Sequence, residues 1–315
     1  MRQGANFEPA ERGAVLKISL LTDARDHNLA LMKISAWHKA QGDEVMLNAP
    51  IFPADFTYAS VLFEKNLDEY SLLADEIGGP AVDGSELPAE IESMMPDYDL
   101  YPHNQFSLGY TYRPCDNQCD FCKVPKMAGD RDHHSIHEFY DHRFKTICLL
   151  NNNTFQDPRW KETFEEIWEL DLSVKDENGY DIRLLDDDKA AALKKTRWDS
   201  CLHFSWDRMS DEDLVMHNVE ILKRHKIRNV VFHVLIGYNT TDEDDLRRCE
   251  MLARAGVPAV YPMPYKYTDF GSRLRRFMFS HFYANQKYKG VPFAESFRDY
   301  RSSGFRGQEQ TEGLF

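Results

Sequence analysis

Short apolar runs alternate with amphipathic helical stretches from residue 106 to about residue 270, and this alternation limits the possible folds most strongly. Six runs predict strands, at residues 106–112, 146–150, 181–185, 201–205, 229–236 and 259–263. The helical stretches between them begin with capping signals at Asp157, Ser210 and Thr241. Because strands that alternate with helices pair through parallel crossovers, the sequence predicts an α/β fold. We expect a partial (β/α)6 barrel of the TIM type, with its chemistry at the carboxyl ends of the strands.

A smaller βα-type region precedes this barrel. Its pattern predicts a strand over 15–20, a helix over 28–41, a strand over 44–47 and a further strand over 58–63. The predicted division is therefore a small α/β region with a linker over 1–100, a barrel over 101–270 and a basic, aromatic extension over 271–315.

Composition and charge exclude several classes of protein. The chain has 315 residues, 42% of them hydrophobic, so it can bury a large core and is not disordered. Its net charge of −14 argues against binding nucleic acid over its whole surface. The first residues are polar, and no apolar run approaches the ~20 residues of a membrane span, so we expect a cytoplasmic protein without a membrane partner.

Three closely spaced cysteines follow the first predicted barrel strand. Cys115, Cys119 and Cys122 form a C-x3-C-x2-C pattern. Three thiolates can hold three irons of a [4Fe–4S] cluster and leave the fourth iron open, whereas a closed structural site normally uses four protein ligands. A zinc site completed by a nearby histidine, in a non-catalytic interaction module, stays open as the alternative; the candidates are His133, His134, His137 and His142.

This cysteine pattern resembles that of the radical S-adenosylmethionine (SAM) superfamily. Residues 108–126 are similar to the cluster loop of its cobalamin-binding and methylthiotransferase-like groups, and segments 146–153, 181–185 and 233–241 are similar to their barrel strands. The resemblance implies a [4Fe–4S] cluster on the three cysteines, whose free iron chelates SAM. It also implies reductive cleavage of SAM to a 5′-deoxyadenosyl radical, which removes a hydrogen atom from a substrate that the sequence does not identify.

Candidate contacts to SAM follow from residue type and position. Phe121 can form an apolar wall against the adenine, and Arg183 can pair with the SAM carboxylate if it faces inward from its predicted strand. The remaining candidates are polar residues or a glycine at strand ends: Asn151, Asn152, Asn153, Ser205 and Gly237. Loop packing for Phe121, a polar turn for the asparagines and outward exposure for Arg183 stay open as alternatives.

The amino-terminal region resembles a shortened form of the Rossmann-like domain of cobalamin-dependent relatives. The D-x-H-x-x-G pattern of a cobalamin ligand is missing, because the segment Asp23 to Asn28 has neither the spacing nor the glycine. We therefore expect a scaffold without cobalamin. The resemblance further implies a reductase partner such as flavodoxin or ferredoxin.

Two further features leave function open. Residues 271–306 hold eight lysines and arginines against two acidic residues, which is typical of a solvated helix face but also of a segment that contacts an anionic substrate. The alternative function is therefore methyl or methylthio transfer to a nucleotide or nucleic acid. Cys148, Cys201 and Cys249 are isolated within apolar patterns, so we expect them to be buried structural thiols.

Overall fold

The computed structural model describes residues 14–49, 53–127, 129–279 and 293–300. The chain divides into two compact units. The first takes in the described residues of Met1–Ser107, Lys126–Asp130 and His137–Tyr140; the second takes in those of Leu108–Pro125, Arg131–Ile136 and Asp141–Phe315. The predicted three-part division stays a prediction, and much of its extension over 271–315 lies outside the described residues. None of the described helices combines the length and apolar character needed to cross a bilayer.

The first unit contains a parallel sheet with helices. Its strands are β1 (Lys17–Thr22), β2 (Glu44–Leu47), β3 (Phe56–Ser60) and β4 (Glu76–Gly78). Its helices are α1 (Leu29–Ala40), α2 (Leu67–Leu73) and α3 (Ala89–Glu92). The strands lie in the order β2-β1-β3-β4, and each pairing in this sheet is parallel. This is an open α/β sheet whose strand order reverses between β1 and β3.

Helix α1 begins after a capping residue and packs its apolar residues on this sheet. The side chain of Asn28 accepts a hydrogen bond from the Leu31 backbone N–H and so caps the helix. Leu31 is fully buried beside Ile18 and Leu20 of β1. The Asn28 amide also donates to Ser60 Oγ over 2.8 Å, which joins the helix start to the end of β3. Asn28 and Ser60 thus bond to each other at the point where the strand order reverses.

Gly79, directly after β4, is required by the backbone. Its φ is +97°, and a Cβ at this position would lie 2.8 Å from both the N and the O of Val61. We expect Gly79→Ala to lower the free energy of unfolding by at least ~2 kcal/mol in urea denaturation. Gly78→Ala is the matched control, because its Cβ meets nothing within 4 Å, and it should stay within ~0.5 kcal/mol of wild type. Equal stability of the two variants would contradict this account.

The second unit contains two further sheets. Its strands are β5 (Ser107–Gly109, whose first residue belongs to the other unit), β6 (Thr146–Leu149), β7 (Ser173–Asp176), β8 (Arg197–Trp198), β9 (Leu202–Trp206), β10 (Val230–Ile236) and β11 (Ala259–Pro264). Its helices are α4 (Trp160–Glu169), α5 (Asp187–Lys195), α6 (Glu212–Arg224), α7 (Asp242–Arg254), α8 (Asp269–Arg276) and α9 (Phe293–Asp299). The sheet orders are β5-β6-β7-β8 and β11-β10-β9.

The parallel character of these sheets confirms the predicted α/β class. Strands β6, β7 and β8 pair in parallel, as do β9, β10 and β11. An isolated parallel bridge between Tyr180 and Phe204 links the segment after β7 to β9. The described strands form two separate sheets and not one continuous sheet, so the partial (β/α)6 barrel stays a prediction.

The strand predicted over 181–185 is wrong. This segment forms a 3-10 turn over Ile182–Leu184, and the Asp181 carboxylate accepts a hydrogen bond from the Arg183 backbone N–H. Such a local bond from an aspartate to the residue two positions on stabilises a turn in place of a strand. The strand that pairs with β6 is instead β7, whose short and largely polar sequence gave no apolar run.

Of the three predicted helix starts, Thr241 agrees with the structure, and Ser210 and Asp157 differ. Helix α6 begins at Glu212 after Asp211, without a side-chain cap, so the predicted cap at Ser210 is wrong. Thr241 and Asp244 form the predicted capping box at the start of α7. Helix α4 begins at Trp160 without a side-chain cap, so the predicted cap at Asp157 is wrong. The Asp157 carboxylate instead bonds to His133 Nδ1 over 2.6 Å and accepts from the Arg159 backbone N–H.

Candidate functional site

The three motif cysteines lie on one loop after β5, residues 115–122, here called the cysteine loop. All three thiols are free and half-buried. Burial raises the pKa of the Cys119 and Cys122 thiols. Neighbouring thiolates raise these pKa values further, Cys122 acting on Cys119 and Cys115 acting on Cys122. The Cys122 backbone N–H donates to the Cys119 carbonyl over 2.9 Å, so the loop turns between these two cysteines.

Polar side chains tie the cysteine loop to the segments that follow the next strands. Asn117 Nδ2 donates to Asp181 Oδ2 over 3.0 Å. The Asp116 backbone N–H donates to Gln156 Oε1 over 2.6 Å. Gln156 in turn donates to Asn117 Oδ1 over 3.3 Å. These bonds hold a loop without regular secondary structure against the carboxyl-end segments after β6 and β7.

Asn151 has a structural role at the end of β6. Its Oδ1 accepts from the backbone N–H groups of Thr111 and Tyr112, over 2.8 and 3.1 Å. Its Nδ2 donates to the hydroxyls of Thr111 and Thr154, over 2.9 and 3.2 Å. A side-chain amide makes about four hydrogen bonds, and Asn151 uses them all within the protein. These bonds also end the strand predicted over 106–112 early, and they leave Asn151 no bond for SAM.

Asn152 and Asn153 lie closer to the cysteines. Asn152 Nδ2 donates to the carbonyl of Arg113, two residues before Cys115. Asn153 Nδ2 lies 3.9 Å from Cys115 Sγ and 3.3 Å from Asp181 Oδ2. Asn153 Oδ1 is buried and has no hydrogen-bond partner within the described part of the chain. A buried acceptor without a partner beside a thiol indicates a place for a donor that a ligand would supply.

Arg183 is already paired. Its guanidinium contacts both carboxylate oxygens of Asp181, over 2.8 and 2.7 Å, and lies 3.7 Å from Asp211. Burial acts to raise the pKa of Asp181, but the Arg183 hydrogen bond and charge outweigh it and hold that pKa below its usual range. The bond to Asp181 raises the pKa of Arg183. Arg183 therefore orients the carboxylate that anchors Asn117.

The end of β9 supplies residues that the sequence did not single out as cysteine contacts. Arg208 Nη2 lies 3.7 Å from Cys119 Sγ, and its charge acts to lower the pKa of that thiol. Ser205 Oγ donates to Asp207 Oδ2 over 3.3 Å. Burial raises the pKa of Asp207. A guanidinium beside a thiol favours the thiolate, which is the form that binds metal.

Phe121 of the cysteine loop belongs to a group of aromatic rings. The Phe121 ring lies 5.1 Å from the Tyr238 ring, edge to face, and Tyr238 lies 4.7 Å from Tyr265. Gly237, next to Tyr238, has a φ of +70°, and a Cβ there would meet nothing within 4 Å. The positive φ favours glycine at position 237, and open space lies beside its Cα.

The other cysteines differ among themselves. Cys148 and Cys249 are fully buried, as expected of structural thiols. Cys201 is half-buried, and its thiol lies 2.9 Å from Asn229 Oδ1. The expectation of burial is therefore wrong for Cys201, which precedes β9 and lies outside the strand.

The donor set of the cysteine loop fits an iron–sulfur cluster. Across residues 14–49, 53–127, 129–279 and 293–300, no group of three His, Cys, Asp or Glu side chains could hold one metal ion. Each thiolate of a [4Fe–4S] cluster binds a different iron, so three protein thiolates leave one iron open. Three neighbouring thiols, one near a guanidinium and one near an amide with a free acceptor, suit the larger group.

Comparison with known proteins yields a distant structural match to this chain. No model of a known protein family matches the chain, and no curated protein matches it. Among solved structures, methylornithine synthase (PylB) matches with a TM-score of 0.36 and 16% sequence identity, over 55% of this chain. The chain spans 57% of that protein. A likeness this distant carries no argument about fold or chemistry.

Proposed function

We propose that this protein is a radical SAM enzyme whose [4Fe–4S] cluster is held by Cys115, Cys119 and Cys122. One observation carries the proposal: three free thiols lie together on a loop that hydrogen bonds fix at the carboxyl-end segments of a parallel sheet. This is the edge where α/β folds assemble their active sites. Three thiolates leave one iron for SAM.

The cluster and SAM supply the chemistry, namely reductive cleavage of the sulfonium C–S bond to methionine and a 5′-deoxyadenosyl radical that removes a substrate hydrogen atom. The chain's own residues bind and orient these groups. Phe121 and Tyr238 form an aromatic wall for the adenine. Asn153 Oδ1 offers an acceptor to the amino acid end of SAM.

Other candidate residues take supporting roles in this proposal. Arg183 and Asn151 use their polar groups inside the protein, so they position the cysteine loop and the end of β6. Ser205 and Asn152 stay candidates for hydrogen bonds to SAM, and the backbone at Gly237 borders open space. The proposal does not include cobalamin, whose D-x-H-x-x-G ligand pattern is missing from residues 23–28.

One arginine of the basic extension, Arg273, is used inside the protein and so does not favour the alternative of nucleic-acid modification. Arg273 donates to the carbonyls of Phe297, Arg298 and Tyr300 and thus has a structural role. The physiological reductant in this proposal is a flavodoxin or a ferredoxin.

Metal analysis after anaerobic reconstitution tests the cluster. Incubation with iron and sulfide should yield a brown protein with about four irons per chain and absorbance near ~400 nm. A parallel incubation with zinc alone serves as the control. Stoichiometric zinc binding without any iron uptake would contradict the proposal and favour a zinc-binding interaction module.

A further inference from the structure

The sheet of β9, β10 and β11 has two chemically different faces. Phe204, Phe232 and Val260 point to one face, where they are buried, and the Phe204 and Phe232 rings stack with centroids 5.6 Å apart. The alternate positions point to the opposite face, where half-exposed His203, His233 and Tyr261 lie. Alternation along a strand places successive side chains on opposite faces. The second face therefore carries polar rings on three adjacent strands.

These three rings form a continuous line, here called the polar row. The His203 and His233 ring centroids are 5.3 Å apart, and those of His233 and Tyr261 are 5.6 Å apart. Asp176 Oδ2 lies 3.6 Å from His203 Nδ1 at one end. Arg275 donates to the Tyr261 hydroxyl at the other end, with its guanidinium 4.8 Å from the ring centroid.

His233, at the centre of the row, has an unsatisfied nitrogen. Its Nδ1 is buried and has no hydrogen-bond partner among the described residues. Burial and the neighbouring His203 charge lower the pKa of His233 to about 4, so its ring is neutral at neutral pH. A buried polar atom without a partner costs about 1–3 kcal/mol. Such an atom, in line with the polar rings of His203 and Tyr261, indicates a ligand that completes it.

The charges around the row favour an anionic ligand. Asp176 is engaged by the His203 backbone N–H and side chain. On the same strand, Lys175 pairs with Glu177 over 2.6 Å. Arg275 contacts the Tyr261 hydroxyl and has no carboxylate partner among the described residues. One guanidinium without a counter-ion thus stands beside a phenol and a neutral imidazole.

Strand β9 connects the row to the proposed radical source. Ser205 is the β9 residue in register with His233. Asp207 follows two positions later, which corresponds to about 7 Å along a strand, and the next residue, Arg208, contacts Cys119. A small ligand on the row would therefore extend toward the cysteine loop.

We propose that the polar row binds the substrate of this enzyme, and that the substrate is a small polar molecule with a carboxylate or phosphate group. Arg275 and the Tyr261 hydroxyl hold the anionic group, and His233 bonds to a second polar group of the same molecule. This inference rests on the proposed function, because the bound molecule is the one that the radical attacks. It excludes an apolar or lipid substrate.

Histidine-labelled full-length protein tests the row by NMR, with inorganic phosphate and acetate as separate probes. Each titration runs through the millimolar range. We expect a saturable shift of the His233 resonance with at least one probe, and the responding probe identifies phosphate or carboxylate as the anionic group. Arg275→Gln should weaken that affinity by about 10- to 100-fold. Arg254→Gln, which removes an exposed arginine paired with Glu250, is the control and should leave the affinity unchanged.

Absence of a shift with both probes, or an equal affinity in Arg275→Gln, overturns the inference. These titrations need neither the cluster nor SAM, so their failure is distinct from failure of the proposed function. If the protein cleaves SAM but shows no anion-dependent shift, the proposed function stands and the proposed substrate class is wrong. If the protein binds the anion but never cleaves SAM, the polar row is an anion site, and its proposed role in binding the substrate of a radical SAM enzyme is wrong.

Discussion

Replacement of Cys119 by alanine is expected to lower the yield of 5′-deoxyadenosine from SAM by more than about 100-fold, since loss of groups outside the first ligand sphere already costs 10- to 100-fold. The thiol of Cys119 lies in the same loop as two other thiols and beside the Arg208 guanidinium. Its removal leaves two thiolates for a cluster that requires three. Iron content after reconstitution and 5′-deoxyadenosine release measure the effect.

Cys201→Ala is the matched control for this variant. Cys201 is also a free, half-buried thiol, but it precedes β9 and contacts Asn229. We expect it to retain iron and SAM cleavage close to wild type. Intact cleavage in Cys119→Ala, or equal losses in both variants, would show that the cysteine loop does not hold the cluster.

Replacement of Arg248 by methionine is expected to lower the free energy of unfolding by about 3–5 kcal/mol, because it leaves the Asp245 carboxylate buried without its cation. Arg248 and Asp245 are 0% and 1% exposed, and their side chains meet over 2.6 Å. Arg248 also donates to the carbonyls of Trp206 and Leu235, at the ends of β9 and β10. Urea denaturation measures the loss.

Arg247→Met is the neighbouring control. Arg247 is 60% exposed and pairs with Glu212 over 2.6 Å, so its removal should cost less than about 1 kcal/mol. Asp245 accepts from the Gly237 backbone N–H over 2.8 Å and thereby holds the turn that carries Tyr238. We therefore expect folded Arg248→Met to bind SAM more weakly as well. Similar stabilities of the two variants would contradict the structural role of the buried pair.

The sequence predicted the parts of the fold that local patterns determine. Apolar runs located β6, β9, β10 and β11 to within a few residues, and the Thr241 capping box located α7. The buried Arg248 was missed, since a charged residue on a helix is normally taken as exposed. It is buried because two strand ends present carbonyls that need a donor, a requirement that appears only after the strands pair.

The candidate site was predictable in its chemistry and less so in its contacts. The spacing of Cys115, Cys119 and Cys122 indicated their shared loop directly. Arg183 was misplaced because four alternating residues are too few to separate a strand from a turn stabilised by Asp181. Tyr238 and Arg208 come from distant segments, so no local pattern could assign them to the cysteine loop.

Anaerobic reduction of the reconstituted protein with SAM tests the central claim most directly. The quantity to measure is 5′-deoxyadenosine, together with methionine, against a control without reductant. We expect both products to form only in the reduced sample and to be lost in Cys119→Ala. A protein that contains a complete cluster, yet releases no 5′-deoxyadenosine after reduction with SAM, would contradict the assignment as a radical SAM enzyme.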